Sequence, residues 1–246
     1  MSNTVLGVDI GGSGMKAAIV DVERCELTTR RKRIPTPQPA NPHSMGMVFG
    51  ALIDHFSWRG QIGCTFPGVI RDRRVVETAA NLDSAWIGVD AAKLFRSSEM
   101  GPITMINDAD AAGIAEMHVG AGRNAAGVVF MLTIGTGLGT AVFNGGELVP
   151  NTELGHLEID GADAEDLASS RAMETENLPM DVWAKRLERY LGYIEDLLSP
   201  DLIIIGGGIS AEFDAFGPLI ETRASVVPAM LRNHAGIVGA AIAATR

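Results

Sequence analysis

Two glycine-rich stretches constrain this chain more than anything else in it. They are Asp9-Ile10-Gly11-Gly12-Ser13-Gly14-Met15-Lys16 and Thr133-Ile134-Gly135-Thr136-Gly137-Leu138-Gly139-Thr140-Ala141. Val5 to Val8 lead into the first and Ala17 to Val20 lead out; Val128 to Leu132 and Ala141 to Phe143 flank the second. Short apolar runs on either side of a glycine tip read as strand, tight turn, strand. The two stretches align, Asp9 on Thr133, Ile10 on Ile134, Gly11 on Gly135, Lys16 on Thr140 and Ala17 on Ala141. One glycine hairpin is most often a plain turn, but two, each opening a half of the chain, predict a duplicated fold. The glycines can take positive φ, and successive N–H groups of such a turn suit an anion such as phosphate. Asp9, at its strand end, is placed to orient a magnesium-bound water, and Lys16 adds a cation. No Gly-Lys pair occurs in the chain, which excludes a Walker A loop. The third glycine and the following helix of a dinucleotide fingerprint are missing too.

The 246 residues suffice for one large or two modest domains. An apolar fraction of 46% with 20% charged residues is ordinary for a soluble α/β enzyme. A net charge of −10 argues against general nucleic-acid binding. The two cysteines, Cys25 and Cys64, are far apart, which points to a reducing, cytoplasmic setting. The N-terminus lacks the basic and apolar regions of a signal peptide. The most apolar segment, 128–143, is broken by glycines and threonines, so no membrane span is expected.

Along the chain, 4–10, 15–21 and 26–34 read as three antiparallel strands, closed by Arg30-Arg31-Lys32-Arg33. Pro35, Pro37, Pro39 and Pro42 make a stiff linker. A helix over 44–58 has Ser44 as a candidate cap. Gln61 to Thr65 is a short strand, Arg71 to Arg74 a turn, and Asn81 to Trp86 a loop. Pro102 to Ile106 is a buried strand that feeds a helix over 109–120. Helices are also expected over 163–173 and 180–198. Leu202 to Ile205 is a strand that the triple glycine turns into a helix from about Ser210. The last helix, 236–245, is rich in small residues and fit for close packing.

Asn107-Asp108 lies where a strand meets a helix. Asp108 reads as a helix cap or as a general base, and phosphoryl transfer to a hydroxyl needs one such carboxylate. Asp110 is a competing carboxylate that points elsewhere on the helix. Glu153-Leu154-Gly155-His156 offers a carboxylate and an imidazole three apart; alone, such a pair is more often a surface feature than a metal site. With Asn81, Asn107 and Glu165 it supplies the donors and acceptors a polyhydroxylated sugar requires. Gly206-Gly207-Gly208 before a helix N-terminus suits phosphate or a plain turn equally.

Taken together these residues resemble the ROK family of sugar kinases over nearly the whole chain. The matching stretches are Asp9 to Gly12, Asn107-Asp108, Gly135 to Gly139, Glu153 to His156 and Gly206 to Gly208. Thr65 to Gly68, Asn81 to Gly88 and Leu231 to Ala241 are similar to the polyphosphate-using glucokinases within the family. The resemblance implies an actin-like, ribonuclease-H-like (hexokinase-type) α/β fold of two domains with a central cleft. The domains would be 1–108 with 235–246, and 109–234. It implies that Asp108 deprotonates the glucose 6-hydroxyl and that Asn81, Asn107, Glu153, His156 and Glu165 bind the sugar. Asp9, Gly11, Gly12, Ser13, Gly14, Lys16, Thr133, Gly135, Thr136, Gly137, Gly206, Gly207 and Gly208 would hold the phosphate donor with Mg2+. That donor would be inorganic polyphosphate, ATP, or both. It further implies a homodimer that binds neither nucleic acid nor membrane. Most of the family carries a cysteine-rich zinc motif between His156 and Glu165, and this chain has none, so no zinc is expected. A polyphosphate donor would need a basic track, with Arg71, Arg73, Arg74, Arg123 and the run Arg30 to Arg33 as candidates. The rival readings are an ATP-dependent kinase for another hexose, a non-catalytic sugar sensor and a filament-like ATPase. A family repressor is not expected, because the chain opens directly on the first strand.

Overall fold

The computed structural model describes residues 3–79, 82–97 and 99–246. The chain forms two compact units, Met1–Ala115 with His234–Arg246, and Glu116–Asn233. The first unit begins with β1 (Thr4–Gly11), β2 (Gly14–Asp21), β3 (Glu26–Leu27), β4 (Lys32–Ile34) and α1 (Pro42–Phe56). It continues with β5 (Ile62–Phe66), the hairpin β6 (Ile70–Arg71) and β7 (Val75–Val76), α2 (Ala91–Phe95), β8 (Ile103–Asn107) and α3 (Asp108–Val119). Its sheet has the order β3-β2-β1-β5-β8, with β4 also on β2. The hairpin side is antiparallel, while β1, β5 and β8 run parallel.

The second unit holds β9 (Val128–Ile134), β10 (Leu138–Asn144), β11 (Glu147–Val149), β12 (Glu158–Ile159) and β13 (Ala162–Asp163). Then come α4 (Ala164–Ala168), α5 (Ser170–Thr175), α6 (Met180–Leu198), β14 (Leu202–Gly207), α7 (Phe213–Phe216) and β15 (Ser225–Pro228). Its sheet order is β11-β10-β9-β14-β15, again three antiparallel strands followed by two parallel ones. Each unit therefore repeats one topology, in which a meander opens at a glycine hairpin and its first strand pairs with a later parallel strand. This is the duplicated α/β fold expected from the two stretches.

The chain returns to the first unit as α8 (Ala235–Ala244). Glycines let this helix approach backbone to backbone. A Cβ on Gly63 would stand 1.8 Å from the Ala240 carbonyl oxygen, and one on Gly7 2.2 Å from that of Ile237. In the first core Phe49 stacks on Phe95 at 4.3 Å, and Trp86 packs on Phe66 at 5.0 Å. The second core is built on one face of α6, through Trp183, Leu187, Tyr190, Leu191 and Ile194.

Several local expectations are corrected. The strand over 26–34 is two pieces, because Thr28 and Thr29 take over the ladder with their side chains. Thr28 Oγ1 donates to the Ile19 carbonyl at 3.1 Å, and Thr29 Oγ1 accepts from the Ile19 N–H at 3.0 Å. Helix α1 starts earlier than Ser44, with Asn41 as its cap and Pro42 in the first turn. Asn41 accepts from the Ser44 N–H at 2.9 Å. The helix over 163–173 breaks at Ser169, whose hydroxyl caps α5 through the Ala172 N–H. Trp86, read as loop, is fully buried in a 3-10 turn capped by Asp83. Strand β14 runs on through Gly206 and Gly207, and the chain then makes a 3-10 turn before α7.

Candidate active site

In the first unit, Asp9 and Lys16 are direct cross-strand partners beside the hairpin tip. Lys16 Nζ stands 3.1 Å from Asp9 Oδ2. Thr65, fully buried on β5, fixes the other carboxylate oxygen. Its hydroxyl donates to Asp9 Oδ1 at 3.0 Å and accepts from the Ile10 N–H at 2.9 Å. The N-terminal turn of α8 lies against the same carboxylate, since a Cβ on Gly236 would reach within 2.9 Å of Asp9 Oδ1. A carboxylate has lone pairs beyond these bonds, so Asp9 fits a magnesium-bound water.

The glycines of both hairpins act through their missing side chains, not through their dihedrals. None of Gly11, Gly12, Gly14, Gly135 and Gly137 lies in the left-handed region, which corrects the expectation of positive φ. Gly12 and Ser13 are exposed, with open space over Gly12. A Cβ on Gly14 would strike the Arg33 guanidinium, and one on Gly137 would strike the Glu165 carboxylate at 2.1 Å. The hairpins also close differently. Gly11 pairs with Gly14 around a two-residue loop, whereas Ile134 pairs with Leu138 around three residues. Lys16 and Thr140 are therefore not equivalent in register, as Asp9 faces Lys16 but Thr133 faces Gly139.

At the end of β8 the two adjacent polar residues divide their tasks. Asn107 caps α3: its Oδ1 accepts from the Asp110 N–H at 3.0 Å, and its amide donates to the Gly68 carbonyl at 3.2 Å. Asp108 sits in the first turn, half-buried, with Oδ1 accepting from the Ala109 N–H at 2.9 Å. The cap that sequence offered to Asp108 thus belongs to its neighbour. Asn81 lies outside the described residues.

In the second unit Glu153, His156 and Glu165 come together. Three contacts pin the turn that carries Glu153 and His156. The Thr140 hydroxyl donates to the Thr152 carbonyl at 2.6 Å and accepts from the Leu154 N–H at 3.1 Å. Tyr190 Oη donates to the Leu154 carbonyl at 3.2 Å. Gly155 lies so close to β10 that a Cβ would stand 2.1 Å from the Leu138 carbonyl. Burial pushes the Glu153 carboxyl above the usual range, against the opposing charge of His156. The hydrogen bond from His156 Nδ1 to Asp163, at 2.9 Å, raises the imidazole pKa. With Nδ1 engaged, Nε2 is the nitrogen free to meet a hydroxyl. Glu165 Oε2 accepts from the Leu138 N–H at 3.0 Å, so this carboxylate also braces the second hairpin. Among the described residues, no group of three or more His, Cys, Asp or Glu is placed to hold a metal ion.

Gly206 and Gly207 lie alongside Thr133 and Ile134 in the sheet. Gly207, at φ 78°, leaves no room for a Cβ against Ile134. Just beyond opens a pocket of about 290 Å³ lined by Ser210, Phe213, Asp214, Pro228, Met230 and Arg232.

Thr65 and Asp163 are site residues that the sequence reading missed. Asp163 had a signal, an acidic residue immediately before a helical run; Thr65 stood in a stretch that carries part of the resemblance, but nothing local in a buried strand gave it a role. The basic candidates sort plainly. Arg71 pairs with Glu77, Arg74 lies 3.6 Å from Asp90, and Arg73 donates to the Arg246 carbonyl at 2.9 Å. Arg123 is exposed in the second unit, and Arg33 alone of these donates to a glycine-hairpin carbonyl among the described contacts.

The ROK family model matches residues 5–179. A polyphosphate glucokinase of Mycobacterium tuberculosis is 48% identical over 239 residues, covering 96% of this chain and 89% of the relative. The polyphosphate glucokinase of Mycobacterium leprae is 46% identical, covering 97% of this chain and 74% of its own. The crystal structure of an inorganic polyphosphate/ATP-glucomannokinase from Arthrobacter sp. strain KM superposes with a TM-score of 0.94 at 46% identity, covering 98% of each chain.

Proposed function

The chain belongs to the ROK family, and from that premise we propose that it is a polyphosphate glucokinase, transferring the terminal phosphoryl group of inorganic polyphosphate to the 6-hydroxyl of glucose. The observation that carries this reading is 46–48% identity, over nearly the whole chain, to proteins of that activity. The structure supports it with two sheets of one topology, each opening at a glycine hairpin.

Asp108 takes the proton of the 6-hydroxyl as that oxygen attacks the terminal phosphorus. The bond to the bridging oxygen breaks, leaving glucose 6-phosphate and a polyphosphate shorter by one unit. Asn107 holds the helix cap through the Asp110 N–H, and Asp108, in the first turn beside it, is the base of this reading. Glu153 accepts from ring hydroxyls, and His156 meets one through Nε2. Glu165 and Asn107 bind sugar in addition to their bracing bonds, and Asn81 completes the set. The hairpin residues Gly11 to Gly14 and Gly135 to Gly137, with Gly206 to Gly208, hold donor phosphates. Asp9, fixed by Lys16, would orient a water of a magnesium ion bound with the donor, and that ion would supply charge neutralisation.

ATP is a second donor. The pocket beyond Gly208 has apolar walls in Phe213, Pro228 and Met230, with Asp214 as an acceptor for an exocyclic amine, which suits a purine. The proposed assembly is a homodimer in a reducing cytoplasm, consistent with two free, buried cysteines. No helix among the described residues is long and apolar enough to cross a membrane. The deciding experiment is an activity matrix of polyphosphate and ATP against glucose, mannose, fructose and N-acetylmannosamine. Turnover of glucose with polyphosphate is expected. Good use of ATP with no turnover on polyphosphate of any length would overturn the donor, and preference for an N-acetylated sugar would overturn the acceptor.

A further inference from the structure

We propose that Arg33 is a donor-binding residue that gives this enzyme its grip on long polyphosphate relative to ATP; the inference rests on the polyphosphate reading above. Asp9 pairs with Lys16, and Lys16 pairs with Arg33, across adjacent antiparallel strands. Directly opposed residues on such strands project to the same face. Carboxylate, ammonium and guanidinium therefore form one row beside the first glycine hairpin. Strands lie about 4.8 Å apart, so the row carries positive charge outward by two strand spacings from Asp9.

The guanidinium is anchored at the lip of that hairpin. Arg33 Nη2 donates to the Ser13 carbonyl at 2.8 Å. The group lies flat against Gly14, where a Cβ would come within 2.6 Å of Arg33 Nε and 2.9 Å of Cζ. Gly14 is thus the residue that lets an arginine lie over the loop. Lys16 has its charge answered by Asp9, but among the described residues no carboxylate pairs with Arg33. Arg71 and Arg74 are answered by Glu77 and Asp90. In a chain of net charge −10, a guanidinium with no carboxylate partner among the described residues, held at the lip of a glycine hairpin, is a place for an anion. Its remaining N–H groups form the fork that matches phosphate oxygens.

The position of Arg33 in the row sets which phosphates it meets. The terminal phosphate belongs at the Asp9 end, where Asp9 would hold a water of a magnesium ion bound with the donor. Arg33 is farthest out, so it contacts phosphates further along the donor. A nucleoside triphosphate runs out of phosphates along the row. A polyphosphate continues past the hairpin lip.

The test compares wild type with Arg33→Met and Arg33→Gln, using ATP, a short polyphosphate and a long polyphosphate at saturating glucose. Glutamine keeps a donor for the Ser13 carbonyl and removes the charge, which separates bracing of the loop from binding of phosphate. Both variants are expected to raise KM for long polyphosphate about tenfold, the worth of one charge-assisted hydrogen bond. KM for ATP should move by less than about threefold, and the salt dependence of polyphosphate KM should flatten. Thermal melts check the fold, and Arg33→Gln serves if Arg33→Met melts early. A wild-type response from Arg33→Gln, or equal losses with both donors, would overturn the inference. If wild type itself turns over no polyphosphate, the functional reading fails and the inference with it. Wild-type turnover with unshifted KM in both variants would sink the inference alone.

Discussion

Asn107 and Asp108 are adjacent and similar in shape, yet they bond differently. The Asn107 amide oxygen accepts from the Asp110 N–H and closes the helix start, whereas Asp108 Oδ1 accepts from the Ala109 N–H, and Asp108 is the residue proposed as the base. Replacing Asp108 by Asn keeps the size and removes the proton acceptor. Its kcat is expected to fall by about 10²–10⁴, with glucose affinity by calorimetry changed little; activity within a few-fold of wild type in a folded variant would remove Asp108 from its role. Asp163 does for His156 what sequence spacing did not announce, holding Nδ1 and raising the imidazole pKa. A raised histidine pKa contributes stability that is fully present below the unfolded value, about 6.5, and lost as pH rises through the folded value. Asp163→Asn should therefore lower the melting temperature most on the acid side of neutrality, and the difference from wild type should shrink as pH rises. An NMR titration of the His156 ring in both proteins reads the shift directly, and an unchanged titration in Asp163→Asn would refute the coupling.

The elements show why small residues recur where they do. The turn bearing Glu153 and His156 is set by Thr140 on β10, whose hydroxyl is spent on Thr152 and Leu154. Thr140→Val keeps the shape and drops both bonds, so a rise of about tenfold in KM for glucose is expected, in line with the loss of one or two buried hydrogen bonds. Steady-state kinetics at saturating donor measure it, and an unaltered KM would show that the turn is held by Gly155 and Tyr190 without Thr140. Helix α8 depends on contacts that leave no space for a methyl group, with Gly63 facing the Ala240 carbonyl and Gly239 facing that of Ala111. Neither neighbour is a side chain that can swing away. Gly63→Ala is expected to cost about 3 kcal/mol and lower Tm by roughly 6–12 °C; calorimetric melting within a degree or two of wild type would contradict that packing.

For the whole molecule, net charge and donor oppose one another. A chain at −10 holds a long polyanion only through local cations, and those contacts are screened by salt. Raising ionic strength should weaken polyphosphate use more steeply than ATP use; parallel salt profiles for the two donors would count against a long donor path. The duplication and the family were legible in the sequence, because each rests on local patterns. A glycine tip between apolar runs forms a hairpin wherever it lies, and two such tips with Glu153 to His156 and Gly206 to Gly208 in order are a specific combination. Element ends were less legible, since the competing caps Ser44 and Asn41, or Asp108 and Asn107, differ only in which side chain reaches the helix amides. Tertiary structure alone decided what depends on strand register. It brought Thr65 to Asp9 across 56 positions of chain, set Arg33 opposite Lys16, and gave the second hairpin a three-residue loop where the first has two. Register is fixed by which faces of distant strands are buried together, and no short window of sequence contains both strands.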